Sequence, residues 1–295
     1  MCACSPDSVI EEVEPDPIED PDPEPDPDPD PEPEPTPTDS LSFEFDGQTR
    51  YYLLYLPENL ADNAPLVMVL HGYTQNVTWA ESLGFNALAD QYGFGVVYPQ
   101  GTRDILNNTH WNAQLSYTSV DDLGFLTLLV DSLQTQYSFD QARTFVTGFS
   151  NGGFMSYALA CAAAGTFRAI APVAGVMSGI TWQTCDPDPT VPVLHIHGTA
   201  DEVVPDTGLE PDVAGWGGAP PLDSMMTFWV LQNACNQTDT VSIDDATTAF
   251  FSKDCVDSLE VHRYSLEGWE HIWPSMEEGA SFNATELIWE FFQKY

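Results

Sequence analysis

The pattern of apolar and polar positions divides the chain near residue 40. Beyond it, short apolar runs at 41–45, 51–56, 66–70, 93–97, 144–147, 169–173, 191–196 and 259–264 predict strands. Segments at 79–91, 122–136, 152–164, 224–233 and 285–293 space apolar residues three and four apart and predict helices. Before the last of these, Asn283 and Glu286 stand three apart, as in a helix cap. Leu287, Ile288, Phe291 and Phe292 then share one face. The two opening strands read as a hairpin, after which β and α alternate. That order predicts an α/β fold with a mostly parallel central sheet flanked by helices.

The first 40 residues follow no such period. Asp-Pro and Glu-Pro repeat almost without interruption from Pro15 to Pro37. Proline removes a backbone donor and like charges repel, so this stretch is expected to be a disordered, extended linker. The 23 residues would reach roughly 70 Å in polyproline geometry. Residues 41–295 are then expected to form the globular domain. At the extreme start, Cys4 follows Ala3, as at the cut end of a bacterial lipoprotein, with Cys2 as the other candidate for a lipid anchor. A secreted or extracytoplasmic location is expected, including the cell surface, for a chain expected to be a monomer.

Charge sharpens this picture. The chain holds 46 acidic and 7 basic residues, with a formal net charge of −39. Nucleic acid is excluded as a partner class, because phosphate contacts need Lys and Arg. Anionic membrane surfaces are disfavoured for the same reason. No apolar stretch is long enough to span a bilayer. Cys161, Cys185, Cys235 and Cys255 form no C-x-x-C unit, which argues against zinc or redox chemistry. Pairing sequence neighbours gives disulfides Cys161–Cys185 and Cys235–Cys255, each worth about 3 kcal/mol in the chain-entropy model. Four buried free thiols are the alternative.

Gly148-Phe149-Ser150-Asn151-Gly152 follows an apolar strand and opens a helix. This is the context of a nucleophile elbow, where a tight turn raises a serine toward its base and substrate. The base needs an orienting acid, in the order Ser, acid, His. Asp201 follows an apolar strand and a Gly turn, and His271 follows the last predicted strand. Asp206 is the rival acid, and His262, inside a strand pattern, reads as structural. His195 and His197 share a strand face but lack a nearby third ligand, so no metal is expected. Nor does the mechanism require a cofactor. The oxyanion hole calls for two donors. The main-chain N–H of Asn151 is one, and Tyr73, with Thr74 the alternative, supplies the other from the His71-Gly72 turn. Tyr73, Trp111, Phe149 and Trp273 are candidates to line a substrate pocket, with core packing the competing reading for Phe149 and Trp111. Asp121 and Asp122 precede a helix and read as caps.

The segments LHGYTQN, VVYPQGT, VDDLGFL, VTGFSNGGFMSYALAC, PVLHIHGTADEVVP, FWVLQNAC and HIWP run through most of residues 41–295. They resemble the secreted polyhydroxybutyrate depolymerase and feruloyl esterase group, close to carbohydrate esterase family 1. The resemblance implies the α/β-hydrolase fold, the triad Ser150, Asp201 and His271, and the same two cysteine pairs. It also implies ester substrates derived from polymers: feruloyl or acetyl esters of plant polysaccharide, or polyhydroxyalkanoates; aromatic or other synthetic polyesters are the alternative. The chain departs from the group at Gly268-Trp269-Glu270-His271, where relatives carry a glycine-rich run. The bulky Trp269 is expected to reshape the pocket. A peptidase would need a gating domain for which there is no room, and a binding module with a dead site conflicts with an intact triad.

Overall fold

A computed structural model describes Met1 and residues 38–58, 60–211 and 217–295. The acidic linker and the candidate lipid sites Cys2 and Cys4 lie outside the described residues. The elements run β1 (Asp39–Phe45), β2 (Gln48–Tyr55), β3 (Leu66–Leu70), α1 (Val77–Glu81), α2 (Phe85–Tyr92) and β4 (Gly95–Pro99). A two-residue pair, β5 (Thr102–Arg103) and β6 (Thr109–His110), precedes α3 (Asp122–Tyr137), β7 (Thr144–Phe149), α4 (Asn151–Ala162) and β8 (Ala169–Val173). Then come α5 (Gly179–Thr184), β9 (Val193–Gly198), α6 (Leu222–Gln232), β10 (Gln237–Ser242), β11 (Thr247–Lys253), β12 (Val261–Leu266) and α7 (Ala284–Phe292).

Ten strands form one sheet in the order β1-β2-β4-β3-β7-β8-β9-β12-β11-β10. The six from β4 to β12 are mutually parallel. β1 and β2 continue the sheet antiparallel on one side, and β11 and β10 on the other. The continuous apolar runs follow from burial on both faces. On β3, Leu66, Met68 and Leu70 join one core cluster, while Val67 and Val69 join the other. Leu126, Leu129 and Leu133 of α3, Phe154 and Tyr157 of α4, and Met225 and Trp229 of α6 fill the first cluster. Phe85 and Ala89 of α2 and Ile288, Phe291 and Phe292 of α7 fill the second. Phe292 stacks on Phe145 with centroids 4.7 Å apart. Each fully buried Leu, Ile, Met or Phe among them contributes about 1.5–3 kcal/mol.

Several local readings are corrected. The helix predicted over 79–91 is two helices, because Gly84 adopts φ +89° between them. Asn283 is the N-cap of α7, but its side chain does not cap that helix. Instead Oδ1 accepts from the Met276 N–H at 2.9 Å, and Nδ2 donates to Glu286 at 3.1 Å. Asp121 caps α3 by accepting from the Gly124 N–H. Asp122 does not cap. It is fully buried and paired with Arg50 at 2.7 Å, and it accepts from the Asn112 N–H at 2.7 Å. Disulfides join Cys161 to Cys185 and Cys235 to Cys255, as expected.

Candidate active site

The three candidate triad residues lie just beyond the C-terminal ends of the parallel strands β7, β9 and β12, the usual functional edge of such a sheet. Ser150 stands between β7 and α4 with φ +53° and ψ −117°. This left-handed backbone is strained for a non-glycine residue. The surrounding glycines explain how the turn fits. A Cβ on Gly148 would meet the Gly152 backbone at 2.5 Å, and one on Gly152 would meet the Leu70 carbonyl at 2.4 Å. The turn is tied to β8 by the Ser150 N–H, which donates to the Val173 carbonyl at 2.8 Å.

Asp201 is buried behind β9. Its Oδ1 accepts from the Val203 and Val204 N–H groups at 2.9 and 2.8 Å. Its Oδ2 lies 2.7 Å from His271 Nδ1. The other acid candidate, Asp206, meets Leu222 through its main-chain carbonyl. The acid and base loops are sewn together. The Ala200 N–H donates to the Trp269 carbonyl at 3.0 Å, and the Gly268 N–H donates to Thr199 Oγ1 at 2.9 Å. Gly198 permits this approach, since a Cβ there would meet the Trp269 carbonyl at 2.1 Å. The Trp269 indole turns back to donate to the Ile272 carbonyl at 2.9 Å and does not line the cleft. It braces the base loop rather than reshaping the pocket.

The turn after β3 is equally fixed. The Thr74 N–H is occupied by the Thr109 carbonyl at 2.9 Å, which removes Thr74 as an oxyanion donor. The Gly72 N–H donates to Gln75 Oε1 at 2.8 Å. The side chain of Asn151 clamps Trp111. Its Oδ1 accepts from the Trp111 N–H at 2.7 Å and its Nδ2 donates to the Trp111 carbonyl at 3.0 Å. The main-chain N–H of Asn151 sits in the first turn of α4, where helices offer donors outward. Trp111 itself is fully buried and offers no face to a substrate, which overturns its pocket assignment. Its indole N–H donates to the His71 carbonyl at 3.0 Å, so it ties the turn to α4.

A cavity of about 630 Å³ opens beside His271. Trp79, Phe149 and Trp273 form its aromatic side, with Trp79 and Phe149 centroids 5.3 Å apart and Phe149 4.8 Å from the His271 ring. Trp273 is thus where the sequence suggests. Phe149 lines the cleft as well as packing. Tyr73 does not line this cavity; its hydroxyl donates to Asp104 at 2.6 Å and accepts from Asn108 at 2.9 Å. Two residues escaped sequence reasoning. Trp79 lies in a helical pattern that reads as packing. His71 is fully buried, with Nδ1 2.8 Å from the Gly72 carbonyl and Nε2 accepting from the Gly101 N–H at 3.0 Å. Burial, first of all, pulls its pKa down to about 4, so it braces the turn as a neutral ring. His262 contacts Glu260 at 3.0 Å, away from the triad. Among the described residues no cluster of three metal-ligating side chains occurs.

The sheet order and its flanking helices are those of the α/β-hydrolase fold. A family model described as esterase PHB depolymerase matches residues 50–187. Over those residues the chain is similar to that family. It is 32% identical over 201 residues to feruloyl esterase C of Emericella nidulans, covering 64% of each chain. It is 34% identical over 125 residues to poly(3-hydroxyalkanoate) depolymerase C of Paucimonas lemoignei, covering 41% of this chain and 30% of the relative. The chain therefore spans less than two thirds of either relative's length. An acetyl xylan esterase from Aspergillus awamori shares the fold with a TM-score of 0.60 at 17% identity, over 82% of this chain and 94% of that one.

Proposed function

We propose that the protein hydrolyses carboxylic esters of polymer origin through an acyl-serine intermediate. The observation that carries this reading is the 2.7 Å contact of His271 Nδ1 with Asp201, on the loops that follow β9 and β12 in the sheet that also carries the Ser150 elbow. Asp201 keeps His271 in the tautomer whose Nε2 accepts the Ser150 proton. Ser150 Oγ attacks the ester carbonyl, and His271 returns the proton to the departing alcohol. The main-chain N–H groups of Asn151 and Tyr73 are the oxyanion donors. Water then enters by the same route, and acid is released.

The aromatic cleft of Trp79, Phe149 and Trp273 favours an acyl group with a flat or short body. Feruloyl and acetyl esters of polysaccharide, short hydroxyalkanoates and aromatic polyesters share that chemistry. The two disulfides support an extracytoplasmic site of action. The test is turnover of p-nitrophenyl acetate, methyl ferulate and a long-chain triglyceride by the wild type and Ser150→Ala. The wild type should cleave the first two faster than the triglyceride, and a serine-directed phosphonate should label Ser150. Full activity in Ser150→Ala, or a preference for the triglyceride, sinks the reading.

A further inference from the structure

Behind the triad acid, β9 carries two buried imidazoles that hydrolysis does not require. His195 and His197 stack at 5.2 Å on the face that meets α4 and α6. Tyr157 Oη lies 2.8 Å from His195 Nδ1. His195 Nε2 lies 3.1 Å from His197 Nδ1, and His197 Nε2 lies 2.7 Å from the Val204 carbonyl. All three side chains are buried. The chain ends at the acid, because the Val204 N–H holds Asp201 Oδ1 while His197 Nε2 stands 3.6 Å from Asp201 Oδ2.

Only one arrangement of protons satisfies every member. A carbonyl can only accept, so His197 Nε2 must donate to Val204. A neutral His197 then accepts at Nδ1, so His195 donates from Nε2 and accepts at Nδ1. Tyr157 is left to donate, and its other neighbour, the Met226 sulfur, is distant at 4.0 Å. Burial, the largest cause, opposes charge on both rings, as does Arg263, whose strand pairs with β9 at His195. His197 opposes it on His195, and His271 opposes it on His197, against the weaker pull of the Val204 carbonyl and Asp201, which favour it there. His271 faces the same carboxylate from the front.

We propose that Tyr157, His195 and His197 form a one-way hydrogen-bond chain that positions the triad acid. This rests on the triad reading above. The chain keeps His197 a neutral donor to Val204, which fixes the loop whose amides grip Asp201. A cationic His197 would instead draw Asp201 Oδ2 away from His271, its intended partner. Tyr157, His195 and His197 are positioning residues, and none touches the substrate.

The experiment combines imidazole ¹⁵N spectra of the full chain with kinetics on p-nitrophenyl acetate. At a pH of full activity, His195 and His197 should both be neutral with the proton on Nε2. A cationic ring or an Nδ1 proton at either position overturns the proposal, whether or not any variant folds. Tyr157→Phe and His197→Phe should lower kcat by about tenfold to a hundredfold with KM nearly unchanged. His197→Gln retains a neutral donor for Val204 and should restore kcat to within about threefold of the wild type. Folded Phe variants with wild-type kcat overturn the proposal too. The spectra need no ester turnover, so failure of the esterase reading, seen as an active Ser150→Ala, is a separate result.

Discussion

At Asp201 the two carboxylate oxygens have different tasks. Oδ1 is held by two main-chain N–H groups and Oδ2 meets His271. An amide in place of the carboxylate loses the second task, because its NH₂ cannot accept from Nδ1–H. Asp201→Asn should therefore lower kcat by about 10⁴-fold. Asp206→Asn should leave it within about twofold, since the Asp206 link to Leu222 is main-chain. Steady-state kinetics on one soluble ester decide between the two acids. At His71 the consequence is for stability. Its folded pKa is depressed to about 4, so between that value and about 6.5 the unfolded chain binds a proton that the folded chain refuses. Stability from this residue is present above that window and is lost on acidification through it, by up to about 3 kcal/mol. His195 and His197 are depressed in the same direction and steepen the fall. Denaturant unfolding across this range should show the slope, and folded His71→Gln should show a shallower one. A slope unchanged by that substitution refutes the neutral brace.

At the scale of elements, the Arg50–Asp122 pair joins β2 to the start of α3, and the Arg50 guanidinium also lies 3.8 Å from the Phe125 ring centroid. Both side chains are almost wholly removed from solvent. Removing one partner leaves a buried charge uncompensated, so Arg50→Ala or Asp122→Ala should each cost about 3–5 kcal/mol. Urea unfolding measures it, and a loss below about 1 kcal/mol would mean the pair is hydrated like a surface ion pair. The sequence could not reveal this pair, because neighbouring Asp121 and Asp122 look alike until the fold brings Arg50 across. Elements buried on both faces were the legible ones. Strands β3 and β8 match their predicted bounds because apolar runs admit no register doubt. Strands β10 and β11 carry no such run. In β10 mostly exposed Thr, Asp and Ser positions at the sheet edge carry no apolar period. The candidate triad positions stand out in the sequence for a different reason: each follows a strand, near a glycine that marks the turn. The clamp between Asn151 and Trp111 does not, since it joins residues 40 apart that carry no shared pattern.

For the whole molecule, net charge and chain boundaries set the behaviour. With 46 acids against 7 bases, self-repulsion opposes compaction, and salt screens it within about 10 Å at 0.1 M. Adding sodium chloride should therefore raise the melting temperature. The effect should be smaller in a chain that begins at Thr38, because the removed stretch carries 14 acids and no base. The choice of Thr38 is structural. Although composition turns globular at Leu41, contacts with the sheet begin before it. The Thr38 hydroxyl donates to Glu81 and accepts from Asn86 at 3.2 Å. Asp39 pairs with Leu54 and Ser40 with Leu53 in the first ladder of the sheet. A chain starting at Thr38 keeps these bonds and all triad candidates, and its turnover of p-nitrophenyl acetate should stay within about twofold of the full chain. A chain starting at Leu41 loses two ladder pairs and the Thr38 links. Net hydrogen-bond values near 1 kcal/mol imply a stability loss of about 2–4 kcal/mol, with activity at low temperature retained because β1 lies at the far edge from β12. Equal melting temperatures for the two truncations would show that β1 adds nothing before Leu41. A large loss of turnover in the chain starting at Thr38 would instead give the acidic stretch a part in catalysis.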